Sequence, residues 1–270
     1  MLNLRHLSKT FFPKTPNEVQ ALRDIDLTIP EGCFAAIIGT NGSGKSTLLN
    51  AVAGTFEPDL GEIHIDEQDI SHWPEYRRAS LIGRVFQNPF AGTAAEMTIA
   101  ENIAMAMRRG CRRGLGLALR RGARAEIAER VRTLNLGLET RLDNPIGTLS
   151  GGQRQALTLL MATWRRPRLL LLDEHTAALD PKSAAQVAEL TLEIIRREKL
   201  TALMVTHSMQ QAVQLPEHII MMHKGQIVRQ YGAPEKARVR VSDLLAAFDH
   251  VRRREQLDAT VAEIITKQYG

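Results

Sequence analysis

The chain has 270 residues, 44% of them apolar and 24% charged, with a net charge of +5 and a pI of about 9.5. This is ordinary globular composition, enough for one large domain or two small ones. No run approaches the roughly 20 apolar residues of a membrane-spanning helix, and Met1 to Thr10 has no apolar core of the kind a secretory signal needs, so any span must come from other subunits. The basic balance suits contact with nucleotide, acidic lipid or nucleic acid without selecting among them. Two cysteines, Cys33 and Cys111, stand in no metal or redox spacing and point to a reducing compartment.

Leu2 to Leu7 and Ile25 to Ile29 read as short strands on either side of a polar loop, Pro13 to Asn17, that holds two prolines. Phe34 to Ile38 is a continuous apolar run ending at a glycine, as in a strand buried on both faces. A helix is predicted from Lys45 to Ala53, stopped by Gly54. After one short strand-like piece, Ile82 to Phe86, the stretch from Pro89 to Arg166 reads as mostly helical, an insertion in an α/β core. Buried strands are predicted at Leu169 to Asp173, Thr201 to Thr206 and Ile219 to Met222. Between them, Asp180-Pro181 supplies an N-cap and first-turn proline, and Ser208 with Gln211 a capping box. Strands alternating with helices imply a mainly parallel, helix-covered sheet. In the tail after Gly232, Ser242 is read as the cap of an amphipathic helix with Leu244, Leu245 and Phe248 apolar. Arg252 to Arg254 and a second helical pattern through Val261, Ile264 and Ile265 follow.

The segment Gly39-Thr40-Asn41-Gly42-Ser43-Gly44-Lys45-Ser46-Thr47 matches the phosphate-loop pattern G-x-x-x-x-G-K-[ST] between a strand and a helix. Its glycines let successive backbone N–H groups turn inward on phosphate oxygens, and the helix adds its positive end. Lys45 is expected to reach the β- and γ-phosphates and Ser46 to bind Mg2+. The apolar strand Leu169 to Leu172 ends in Asp173-Glu174, and strand carboxyl ends face the ligand crevice of a parallel sheet. Asp173 is therefore a direct or second-sphere partner of Mg2+, and Glu174 is positioned to polarise an attacking water. No guanine-reading N-K-x-D segment is present.

Leu149-Ser150-Gly151-Gly152-Gln153, between the phosphate loop and the acidic strand, resembles the signature sequence of ATP-binding cassette (ABC) ATPases. Physically, Ser150 caps a helix whose free N–H groups make a second anion site. The resemblance runs over about residues 1–232 and implies an α/β phosphate-loop cassette. Its parts are a mainly parallel core, an antiparallel β subdomain and a helical subdomain at about 89–166, with 233–270 a short helical extension. It implies that Gln87 senses Mg2+ and water, that Ala178-Leu179-Asp180 crosses a dimer interface and that His207 contacts the γ-phosphate. It also implies that Phe11 stacks on adenine, with Phe12 competing for that role. The family usually carries proline where His175 stands and serine or glycine where Ala177 stands; His175 is expected to pack rather than to titrate near the site.

The resemblance further implies ATP hydrolysis by a head-to-tail homodimer, each ATP held by one copy's phosphate loop and the other's Ser150 to Gln153. Gln87 and Ser150 are 63 residues apart (150 − 87), which leaves no room for the long coiled coil of the DNA-repair members. A single cassette also differs from the paired cassettes of translation factors. Transport is therefore favoured, with no nucleic-acid partner. A free-standing cassette looks like a bacterial importer subunit, peripheral on the cytoplasmic face, working with permease subunits and a separate solute-binding protein; an exporter is the alternative. The segments Gly83 to Gln87, Gly92 to Ala95 and Asp173 to Asp180 resemble an uptake group linked to tryptophan, tyrosine or similar solutes. Asn88 to Thr98 is the expected permease-docking groove. Arg108 to Arg124, with seven arginines and no acid, either touches anionic headgroups or is a solvated face or loop.

Overall fold

The computed structural model describes residues 1–111 and 122–251. Most of the Arg108 to Arg124 segment, and the tail from Arg252 on, lie outside the described residues. The chain opens with two long antiparallel strands, β1 (Leu2–Phe11) and β2 (Val19–Ile29), before the central strand β3 (Phe34–Gly39) and the helix α1 (Lys45–Ala53). Then come β4 (Leu60–Ile65), β5 (Gln68–Asp69), the short α2 (Glu75–Arg78) and β6 (Ile82–Val85). A helical region follows, with α3 (Ile99–Met107), α4 (Ala123–Arg132) and α5 (Gly151–Thr163). The chain returns through β7 (Leu169–Asp173), α6 (Pro181–Glu198), β8 (Thr201–Val205), α7 (Met209–Gln214), β9 (His218–His223), β10 (Gln226–Tyr231) and α8 (Ala233–Lys236).

Two sheets result. One is antiparallel, in the order β2-β1-β4-β5; the other runs β10-β9-β3-β8-β7-β6 and is parallel except for the β9–β10 hairpin. That hairpin turns through Lys224 and Gly225, both left-handed, which matches the twist of its strands. The leucine run of β7 shows why the parallel strands read as unbroken apolar stretches. Leu169 and Leu171 face a core shared with α1 and the antiparallel sheet, whereas Leu170 and Leu172 face Leu159 of α5 and Ile194 and Ile195 of α6. The helical region has a core of its own, built from Ile99, Ile103, Ile127, Val131, Leu157 and Trp164 among others.

The strands of the antiparallel sheet are longer than the sequence suggests. Leu2 and Leu4 alternate inward, but a register shift at His6, which is left-handed at φ 50°, puts the next inward residue at Leu7. The bulge breaks the period of two that the sequence reading relies on. β5 and β10 are mixed polar strands without that alternation, β4 keeps it only from Ile63 to Ile65, and the sequence reading misses all three. Two cap assignments are corrected. Ser208 accepts from Gln211 N, but the Gln211 side chain does not return to Ser208; it bonds to Thr176 and Thr206 instead. The helix at 241–251 is capped at Arg240, whose backbone N–H donates to Asp243 Oδ2 at 2.8 Å, so Ser242 lies inside the first turn. Leu244 and Phe248, one turn apart, pack on Ile38, Ile219, Met221 and Tyr231, while Leu245 is exposed.

Arg78 anchors the phosphate-loop helix from behind. It is fully buried, and its Nη1 donates to Ala51 O (2.7 Å) and Val52 O (3.0 Å) at the negative end of α1. Nη2 donates to Ser71 O and Nε to Trp73 O, each at 2.8 Å. Gly54 ends α1 at φ 85°, and a Cβ there would lie 2.8 Å from Arg78 Cδ, so the helix stop and the arginine fit as a pair. Arg78→Met is expected to remove one hydrogen bond from each of four carbonyls, three of these bonds buried, and to lower stability by roughly 3 kcal/mol. Urea unfolding checks this; a midpoint like that of the unaltered protein would refute it.

Candidate functional site

The parallel register brings the chemistry to one edge. Ile37 of β3 pairs with Val205 of β8, and Val205 with Asp173 of β7, so Gly39, Glu174 and His207 all lie just past the same ends of neighbouring strands. The loop from Gly39 to Gly44 curls back there onto α1. Gly42 and Gly44 are left-handed (φ 76° and 96°). A Cβ at Gly44 would sit 2.4 Å from Ala21 O, and one at Gly39 2.4 Å from Met222 O, so the loop is pressed against β2 and β9 and only glycine fits. Gly225 N donates to Ser43 O and Arg23 N to Gly225 O, tying the β9–β10 turn under the loop.

Asn41, Gly42 and Ser46 are exposed on the open side, with Thr40 and Thr47 partly so. Lys45 is buried, and its Nζ donates to Gly39 O and Thr40 O, each at 2.9 Å. Burial holds its ammonium below the usual lysine range, against the pull of Glu174 and Asp173. Ser43 Oγ is buried and finds no partner among the described residues. A lysine satisfied only by its own loop, an orphaned hydroxyl and a helix N-terminus together suit a polyphosphate.

Glu174 follows β7 in a left-handed conformation (φ 44°), and its N–H donates to Val205 O at 3.0 Å. Its carboxylate is nearly buried and meets the half-exposed His207 ring, Nε2 to Oε1 2.5 Å. Asp173 pairs with Arg84, Nη2 to Oδ2 3.5 Å, and Arg84 also donates to Asn50 Oδ1 of α1 at 2.5 Å and covers the Phe86 ring. The sequence reading missed Arg84. Its signal was a charge inside the apolar run Ile82 to Phe86, which burial makes costly without a partner. Gln87, just beyond β6, is exposed, and α5 holds its neighbour through Gln155 Nε2 to Phe86 O (3.0 Å).

Ser150 caps α5 in a reciprocal box with Gln153 and stands exposed. Gly151 lies beside Leu179, and a Cβ at Gly152 would come within 2.7 Å of Ser183, so the α5 turn packs on the start of α6. Asp180 caps α6, accepting from Ser183 N at 3.1 Å, and its hydrogen bonds from Ser183 hold the carboxyl below its usual range. The site's two serine-bearing helix starts therefore sit on different cores: Ser46 on α1 of the sheet domain, Ser150 on α5 of the helical one. Phe11 is half-buried, edge-on to Phe56 with centroids 5.3 Å apart and with Lys9 alongside; Phe12 is 67% exposed.

A model of the family described as ABC transporter matches residues 22–177. The chain is 40% identical to a tyrosine transport ATP-binding protein of Clostridioides difficile over 93% of this chain and 99% of that one. It is 36% identical to a putrescine transport ATP-binding protein of Escherichia coli over 87% of this chain, spanning 58% of that longer protein. Among solved structures, the dimeric post-hydrolysis state of an ATP-binding cassette bound to ADP and Pi superposes with a TM-score of 0.74 at 28% identity. The overlap covers 86% of this chain and 99% of that one. The ADP conformation of another ABC transporter cassette gives a TM-score of 0.76 at 26% identity over 93% and 98%. The fold and site are those of a phosphate-loop ATPase cassette. The chain belongs to the ABC transporter family, as an ATP-binding, ATP-hydrolysing subunit.

His175 lies in the interior beside this site. Its Nε2 is 3.0 Å from Thr191 Oγ1, which itself donates to Val187 O, so the ring is neutral with the proton on Nε2. Burial lowers its pKa from 6.5 to about 4. The unfolded chain binds that proton near pH 6.5 and the folded one only near 4, so stability falls as pH drops through this window. Denaturant unfolding at pH 7 and pH 5 is expected to differ by about 2 kcal/mol more in the unaltered protein than in His175→Gln. Equal pH slopes in the two proteins would refute this.

Proposed function

We propose that the chain is the ATPase subunit of a bacterial importer for a small, amino-acid-like solute, working as a head-to-tail dimer. The observation that carries the dimer is that the two anion-ready helix starts, at Ser46 and Ser150, belong to helices on different parts of the fold, α1 in the core under the antiparallel sheet and α5 between the helical core and the other sheet face, with Ser150 exposed. One nucleotide engages both only if a second copy supplies the second. In this reading Gly39 to Thr47 cradle the triphosphate of ATP, Lys45 exchanging its own carbonyls for β- and γ-oxygens. Phe11 receives the adenine. Ser150, Gly151, Gly152 and Gln153 of the other copy close over the γ-phosphate, with Asp180 at the seam. Ser46, Gln87 and Asp173 would hold Mg2+, which when bound neutralises charge on the phosphate oxygens. Glu174 accepts hydrogen from the attacking water, and His207, now 2.5 Å from Glu174, turns to the γ-phosphate.

Coupling follows from the loop after Gln87. Asn88 to Thr98 receives the permease, because α5 grips this segment from beneath: Gln155 bonds Phe86 O, and the buried Arg154 donates to Thr93 Oγ1 at 2.9 Å under the Phe90 ring. Motion there reaches both Gln87 and the Ser150 turn. No helix among the described residues is long and apolar enough to cross a membrane. Permease subunits thus supply the span, a separate binding protein delivers the solute, and the cassette sits on the cytoplasmic face. The transport names carried by the C. difficile and E. coli relatives support a transporter subunit, the import names of sulfate and polyamine relatives support uptake, and the tyrosine name supports an amino-acid-like solute.

Glu174→Gln is expected to bind ATP and persist as a dimer in gel filtration, with turnover lowered by at least about a hundredfold; normal turnover would remove Glu174 as the base. Ser150→Arg is expected to bind nucleotide as tightly as before yet to stay monomeric and inactive. Hydrolysis at the usual rate would refute the shared site.

A further inference from the structure

Glu174 and His207 sit on two separate loops, after β7 and after β8. Their contact at 2.5 Å needs those loops held in register: Glu174 is nearly buried, but the His207 ring is half-exposed and is not held by close packing of its own. One side chain spans the two loops. Gln211, in the first turn of α7, directs Nε2 to Thr176 Oγ1 at 3.1 Å and accepts on Oε1 from Thr206 Oγ1 at 3.1 Å. Thr206 precedes His207, and Thr176 lies two residues after Glu174, where the Ala177 to Asp180 segment begins. Both threonines are buried. Thr206 Oγ1 also accepts from Ser208 N (3.1 Å), and Thr176 Oγ1 lies 3.4 Å from Gln211 Oε1, so the carboxamide meets both hydroxyls. Gln211 N in turn donates to Ser208 Oγ, anchoring the residue to the start of α7.

We propose that Gln211 is a positioning residue for hydrolysis: its carboxamide clamps the Thr176 turn to the Thr206 loop and so sets Glu174 and His207 against each other. It also ties this pair to the Asp180 segment, so that movement at the seam is felt at the base. The inference rests on the roles given above to Glu174 and His207. Gln211 touches neither the nucleotide cradle nor Lys45; it acts through geometry, and a misplacement well short of 1 Å at the reacting groups lowers the rate without lowering affinity.

The test measures single-turnover and steady-state ATP hydrolysis by the full chain carrying Gln211→Leu, alone and combined with His207→Ala. The single variant is expected to lose about tenfold in kcat with KM for ATP changed less than about twofold. In the His207→Ala background the same change is expected to cost less than about twofold, because the group being positioned is gone. An unchanged kcat in folded Gln211→Leu, or a tenfold loss that is undiminished without His207, overturns the proposal. Thr176→Val, which removes the acceptor of Nε2, is read by the same criteria if Gln211→Leu does not fold. Glu174→Gln separates the two levels. Turnover that survives it sinks the assignment of the base, whereas turnover abolished there with Gln211→Leu unaffected sinks this proposal alone.

Discussion

The parallel pairing of β3 with β8 and of β8 with β7 is the constraint on which the rest depends. It fixes Ile37, Val205 and Asp173 in one row across three strands, so whatever follows each strand emerges at a common edge. The phosphate loop, the acidic pair and His207 are far apart in the chain and adjacent for this reason alone. The pairing survives because each strand is apolar on both faces, with α1 and the antiparallel sheet on one side and α5 and α6 on the other. A register slip would expose leucines and scatter the site in the same step.

Around that edge the charges are arranged in local pairs. Arg84 links Asp173 to Asn50 of α1, His207 meets Glu174, and Lys45 turns to its own loop carbonyls. Each of these groups has a partner within the chain and can exchange it for a phosphate or a water without stranding a buried charge. The supports lie one layer back: Arg78 behind α1, Gly225 under the phosphate loop, and Gln211 between the loops after β7 and β8. They keep the loops in place while the groups at the edge change partners.

The helical region has its own core and meets the sheet domain chiefly through α5 and α6 and through the segment around Phe86. α5 belongs to both sides of this joint, with Leu157 and Leu160 in the helical core and Leu159 and Ala162 against the sheet. The grip of Arg154 and Gln155 on the 86–93 segment ties it to α5, the helix that carries the Ser150 turn.

By itself the sequence determined the phosphate loop, the acidic strand end, the capped Ser150 helix and the alternation of buried strands with helices. These are local: a glycine pattern, an apolar run or a cap acts within a few residues, and its chemistry is written in those residues. What tertiary structure decided is everything that needs two distant segments. The bulge at His6 and the mixed strand β10 take their form from pairing rather than from their own periodicity. Gln211 reads locally as the far end of a capping box and is diverted because Thr176, 35 residues away, offers its side chain a buried partner. Nothing local in the sequence assigns partners to Arg78, Arg84 and Arg154. They are drawn inward because helix-end carbonyls, a carboxylate and aromatic faces converge on them only once the chain has folded.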